Sequence, residues 1–201
     1  YKKILDGETI TVTTPVSNDT TNAIGFEIIR RFYAKSDVKV YPHQVNFIAN
    51  GFEHLKYMKE GADAGWLYFY NFEGIEAKHE KMDVLYLDSE NANFANFSAL
   101  DLFVNRDFFE ANQKVVSQFI NATKEAIVYI NTYPEEAMAI YYDYTKENPS
   151  SLMNDILKAT MSCFNPDFES LASKELPILQ FFKEIGISSL SEEEFKKAFL
   201  N

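Results

Sequence analysis

Strand-type runs alternate with helix-type runs over the first 90 residues of this chain, and from residue 106 onward only helix-type runs remain. That change of texture constrains the fold more than any other feature. Glu8–Thr14 (ETITVTT) is a β-branched run after the Asp6-Gly7 turn and reads as a strand that Pro15 ends. Ser17, Asn18, Asp19 and Thr20 all suit a helix N-cap, and Ile24, Ile28, Ile29, Phe32 and Tyr33 then recur at helical spacing. Val45–Ile48 reads as a second strand, and Phe52–Glu60 as a short helix with Gly61 as its C-cap. Ala62–Tyr68 reads as a third strand, apolar on both faces, Glu73–Lys81 as a helix and Val84–Leu87 as a fourth strand. Such alternation predicts an α/β fold with a parallel or mixed sheet and right-handed crossovers.

The stretch Ser89–Ser98 is polar and Asn-rich, with Phe94 and Phe97 embedded in it, and Ala99–Val104 reads as one more strand. Ala111–Tyr133 then carries Val115, Val116, Phe119, Ile120, Ile127 and Ile130 on or near one stripe. Pro134 opens the next helix, with Glu135 and Glu136 at its positive end. Helices follow at Ser151–Cys163 and Ala172–Ile185, and Ser191 with Glu194 makes a capping box for the last. The expected organisation is an α/β lobe at 1–90, a hinge or crossover at 91–104, and a mostly helical remainder at 105–201. The remainder has almost no sheet of its own, so its helices either bundle or belong to a sheet outside this stretch.

The net charge of −11 argues against nucleic acid and against anionic lipid as partners. No apolar run is long enough to span a bilayer. His43, His54 and His79 are dispersed, with no second ligand at metal-binding spacing. Nucleophile-elbow, Walker A and G-x-G-x-x-G patterns are absent, and the chain has only 7 glycines, so neither catalytic nor cofactor chemistry is indicated. The single cysteine, Cys163, reads as a small buried hydrophobe. Tyr1 reads as the start of a mature or truncated product.

The chemistry that does stand out lies between the third strand and the helix after it, in Tyr68-Phe69-Tyr70-Asn71-Phe72-Glu73. Continued strand geometry puts Tyr68, Tyr70 and Phe72 on one face. Glu73 opens the helix, where a carboxylate is either a partner of the helix dipole or an acceptor turned toward a ligand. Glu76 and Glu80 share its face and read as solvated, balanced by Lys78 and Lys81. Ligands of open α/β sheets sit at the carboxyl ends of strands, so this loop and the Ser17–Thr20 loop could face one cleft.

Here a family resemblance enters. YMKEGADAGWLYFYNFEGIEAK resembles a stretch of the NMT1/THI5-like solute-binding proteins, with Leu55, Gly61, Asp63, Ala64, Trp66 and Phe72-Glu73-Gly74-Ile75 at the matching places. Asn105, Phe108, Val115, Phe119, Ala122 and Pro134-Glu135-Glu136-Ala137 are similar to the family's downstream segment. The resemblance implies a periplasmic-binding-protein fold: a lobe with a mixed sheet at 1–90, and a helical carboxyl half belonging to the other lobe, whose amino-terminal part is not in this sequence. It implies the substrate-binding component of an ABC importer, outside the cytoplasm in a periplasm or anchored as a lipoprotein on the outer face, with permease subunits as partners. The ligand implied is a thiamine-pyrimidine precursor or similar small aromatic heterocycle, with Glu73 accepting hydrogen bonds from its amine. Tyr68, Tyr70 and Asn71, with Ser17 and Asn18 from the first loop, would complete the site, and no cofactor or metal is expected. Phe72 stands where the family commonly has Trp, which passes any stacking role to Tyr68, Tyr70 or Trp66, and Trp66 reads as core. The alternatives are a pyrimidine-synthase-like enzyme of the same family, which would need pyridoxal phosphate and a reactive histidine, and a non-catalytic sensor or interaction module.

Overall fold

The computed structural model describes residues 1–88, 92, 94–95, 101–166 and 172–199. The chain divides into two compact units, one of residues 1–97 and 171–201 and one of residues 98–170. The division by contact thus groups the last two helices with the amino-terminal unit, whereas the boundary drawn from composition groups everything after 104.

The first unit opens with a short helix α1 (Lys2–Leu5) and strand β1 (Ile10–Thr14), followed by α2 (Asp19–Ala34). A 3-10 turn at Pro42–Gln44 leads into β2 (Val45–Ala49), then α3 (His54–Lys59), β3 (Ala64–Gly65) and α4 (Glu73–His79). The three strands form a parallel sheet in the order β2-β1-β3, with Ile10 opposite Val45 and Val12 opposite both Phe47 and Ala64. Helical crossovers between parallel neighbours are the α/β pattern that the sequence alternation predicts. The core forms where the helix stripe meets the sheet: Ile10, Val12, Ile29, Tyr33 and Val40 bury together with Ile4, and Phe47 and Trp66 pack against them.

Several residues fix the edges of this unit. Asp63 takes the backbone N–H of Thr11 at 2.9 Å and pairs with Lys3 at 2.6 Å, so it holds the start of β3 against β1. Gly61, at φ +111°, supplies the left-handed turn that ends α3 and aims the chain into β3. The buried Glu27 of α2 accepts hydrogen bonds from Arg30 and Arg31. Burial alone would raise its pKa, but the two guanidinium groups outweigh that and lower it. Arg31 also reaches Glu184 at 3.0 Å and lies 4.8 Å over the Phe181 ring, tying α2 to α9 (Ala172–Glu184). α10 (Glu192–Lys196) starts at the capping box of Ser191 and Glu194, as its sequence predicts.

The second unit contains α5 (Arg106–Ala111), α6 (Gln113–Thr132), α7 (Pro134–Thr145) and α8 (Ser151–Met161). Asn105 caps α5, and Ser150 caps α8 through the Met153 N–H. Val116, Ile127, Met138 and Ile156 are its buried apolar residues, and the Tyr142 hydroxyl bonds Asn154 at 2.7 Å across α7 and α8. Val115 and Phe119 of the expected stripe are exposed.

Four sequence expectations need correction. The third strand stops at Gly65, and Leu67 takes a left-handed backbone (φ +60°) that turns the chain out of regular strand geometry. Val84–Leu87 has no ladder; Tyr86 instead stacks its ring on Tyr68. Of the strand expected at Ala99–Val104, residues 101–104 are not strand, and 99–100 lie outside the described residues, as does most of the 89–98 stretch. Cys163 is exposed rather than buried: it sits in the turn after α8, and its thiol bonds the Ala159 carbonyl at 3.3 Å, one of the carbonyls that a helix end leaves without an amide.

Candidate functional site

Because all three strands run the same way, the loops that leave them gather at one end of the sheet. These are residues 15–18 after β1, 50–53 after β2 and 66–72 after β3. Each carries polar or aromatic groups, and β1 itself delivers Thr13 and Thr14, both fully buried, to this end.

Glu73 is 2% exposed, and its Oε2 accepts the backbone N–H of Phe69 at 2.8 Å. The loop therefore folds back over the carboxylate, with Phe72 N–H and Gly74 N–H both donating to the Phe69 carbonyl. Of the two roles left open by the sequence, the structure gives Glu73 a part in shaping the start of α4. The same burial places it among aromatic neighbours: Phe69 stacks on Phe52 at 6.3 Å and Tyr68 on Tyr86 at 5.8 Å. The Tyr86 hydroxyl lies 3.1 Å from where a Cβ at Gly74 would project, a tight approach that a larger residue would meet only by displacing the Tyr86 ring. Tyr68 has its pKa raised by burial first, and then by Tyr86 and by the negative charge of Glu73.

Tyr70 is exposed and Asn71 half-buried. Strand alternation does not govern them, since β3 ends before Tyr68, so the expectation that Tyr68, Tyr70 and Phe72 share a strand face is overturned. Ser17 and Asn18 lie in the loop after β1 and are engaged locally. Asn18 caps α2 in a reciprocal box with Thr21, and Ser17 exchanges hydrogen bonds with Asn22. An Asn18→Ala substitution should lower stability by about 1 kcal/mol, the usual worth of an N-cap. Chemical denaturation checks this. A loss of ligand affinity without loss of stability would assign Asn18 to the ligand instead.

The sequence reading passed over His54, treating it only as a failed metal ligand. It is the first residue of α3 and is 1% exposed. Its Nδ1 lies 2.7 Å from the Thr13 hydroxyl, and its ring rests on Gly65, where a Cβ would come within 3.1 Å. Its ring also meets Phe52 and Tyr68 edge-on. His54 Nε2 is buried and has no hydrogen-bond partner, and both side-chain polar atoms of Asn50 share that condition. Asn50 directly follows β2, and its N–H donates to the Thr14 carbonyl. Two adjacent threonines ending a β-branched strand, with a histidine opening the next helix but one, are the signal that could have found this cluster.

Burial pushes the His54 pKa below its ordinary value, and the Glu73 charge restores only part of the shift. The unfolded chain thus binds its proton at higher pH than the folded one. Stability from this group is complete above about pH 6.5 and falls as the pH drops below it toward the folded-state pKa. The urea midpoint should fall between about pH 7 and pH 5, and His54→Gln should flatten that part of the curve. An identical slope in the variant would assign the pH dependence to carboxylates elsewhere.

Comparison with known proteins adds two findings. A family model described as NMT1/THI5 like matches residues 19–137, from the first residue of α2 into α7 and across the whole 61–78 segment. No curated protein matches the sequence.

Proposed function

The chain belongs to the NMT1/THI5-like family, and from that premise we propose that it is the substrate-binding component of an ABC importer for a thiamine-pyrimidine precursor or similar small aromatic heterocycle. The family supports a substrate-binding or related role in the broad sense. The observation that carries the narrower reading is the buried Glu73 carboxylate, set among Tyr68, Phe69 and Tyr86 where parallel strands end. A desolvated carboxylate accepts strongly from an exocyclic amine, and flat aromatic rings beside it favour a flat ligand. Tyr68 stacks, Glu73 accepts, and Tyr70 and Asn71 flank the opening of the loop.

In this reading the protein binds and releases its ligand without chemistry, works outside the cytoplasm, and hands the ligand to permease subunits. None of the described helices is long and apolar enough to cross a membrane, so anchoring would come from elsewhere. Calorimetric titration of the protein with aminopyrimidines tests the reading, and saturable binding is the expected result. No heat change across aminopyrimidines, riboflavin and sulfonates would sink it.

A further inference from the structure

Three hydrogen-bonding atoms at the carboxyl end of the sheet are buried and unpartnered: Asn50 Nδ2, Asn50 Oδ1 and His54 Nε2. Folded proteins pair almost all such atoms, because an unmade bond leaves their full desolvation cost standing. Three within five residues of chain, at the strand ends where α/β sheets take ligands, call for a group that pairs them.

Their chemistry states what that group must offer. The Asn50 amide presents one acceptor and two donor hydrogens side by side, so its complement is an acceptor next to a donor: an amide, a lactam or the amidine edge of an aminopyrimidine. His54 contributes one more bond. Its Nδ1 lies 2.7 Å from the Thr13 hydroxyl, a separation typical of an O–H donor and short for an N–H donor. The Thr13 hydroxyl has one hydrogen and a second acceptor in reach, the Ala64 carbonyl at 3.4 Å, so Nε2 is a donor in the tautomer where Thr13 bonds Nδ1 and an acceptor in the other. The neutral form suits this task, since the ring is buried and packs against Thr13, Phe52, Gly65 and Tyr68, and the Glu73 charge offsets only part of the burial.

We propose that Asn50 and His54 are the ligand-reading pair of this site, selecting a neutral planar heterocycle by its adjacent acceptor and donor plus one further hydrogen-bonding group for Nε2. The inference rests on the ligand-binding reading above and deepens it, shifting specificity from the aromatic loop to the end of β2 and the start of α3. Glu73 and Tyr68 hold such a ligand by charge and stacking, whereas Asn50 tells an amidine edge from a bare ring.

The test is calorimetry of the full chain with two probes, 4-aminopyrimidine and 4-(dimethylamino)pyrimidine. The second keeps the ring nitrogens and loses the amine donor. The wild type should prefer the first by tenfold or more. Asn50→Leu, close in size, should reduce the preference to the share that Glu73 gives by accepting from the amine, and His54→Phe should weaken both probes alike. Circular dichroism melting confirms that each variant folds, and Asn50→Ala is the substitute should Asn50→Leu fail to fold; it removes both the acceptor and the donor hydrogens and should also reduce the preference. Equal binding of both probes by the wild type, or an unchanged preference in the Asn50 variants, overturns this inference and leaves the ligand-binding reading standing. Absence of binding by either probe, or by any of the wider ligand set above, overturns both.

Discussion

Glu73→Gln is expected to weaken binding of an aminopyrimidine by roughly tenfold or more while leaving the melting temperature almost unchanged. A hydrogen bond to a charged group is worth about 1.5–3 kcal/mol, and 1.4 kcal/mol is a factor of ten in affinity. Glutamine keeps a carbonyl oxygen for the Phe69 N–H, so the loop that closes over residue 73 retains its bond. Glu73→Ala separates the two roles. It removes the acceptor altogether and strands the Phe69 N–H, which should add a stability loss of about 1–3 kcal/mol to the loss of affinity. Titration and melting of the two variants side by side are decisive. Unchanged affinity in Glu73→Gln, with a lowered melting temperature, would leave the carboxylate a purely structural device for starting α4.

The second large effect concerns the packing that holds the loop end of the sheet in place. Gly25, in the middle of α2, lies where helix and sheet approach closely. A Cβ there would lie 3.0 Å from Phe47 and 3.0 Å from both Cδ1 and Nε1 of Trp66. Trp66 cannot easily withdraw, because its indole N–H donates to the Thr21 carbonyl one turn earlier on the same helix, at 3.0 Å. Gly25→Val should therefore destabilise the protein by about 3 kcal/mol through overpacking, on the order of 10 °C in melting temperature. Gly25→Ala should cost less, since alanine regains up to about 1 kcal/mol of helix propensity. A Trp66→Leu change on the Gly25→Val background should recover part of the loss, a coupling that a double-mutant cycle measures. Additive effects would show that the strain lies elsewhere.

These two sites show how unevenly the molecule could be read from its residues. α2, β1, β2, α4 and the helices of the second unit stand close to where periodicity and capping residues place them. Their determinants are local: β-branched runs, the Asn18 and Ser191 caps, Pro134 at a helix start, Gly61 after a helix end. Glu73 was also legible, since an acidic residue after an aromatic loop is noticeable in sequence alone. The helical repeat of α6 was legible as a pattern, but which of its apolar residues become buried was not, and Val115 and Phe119 are exposed.

What failed were readings that depend on partners distant in sequence. Ala62–Tyr68 has strand composition throughout, yet only Ala64 and Gly65 pair with β1, and the left-handed turn at Leu67 redirects the chain. Val84–Leu87 has strand composition and no neighbour to pair with, and Tyr86 is recruited by the Tyr68 ring.

The sequence by itself determined that this protein is α/β at its amino-terminal end and helical beyond, where its helices start and stop, and which family it resembles. These follow from interactions spanning a few residues, whose period and caps are written in the order of the side chains. Only the tertiary structure decided that Thr13 would meet His54 from 41 residues away, that His54 Nε2 and the Asn50 amide would be buried without partners, and that Glu73 would close the aromatic loop over itself. Burial and hydrogen-bond satisfaction are properties of neighbours in space, and a parallel sheet brings its neighbours together only through crossovers that local pattern does not record.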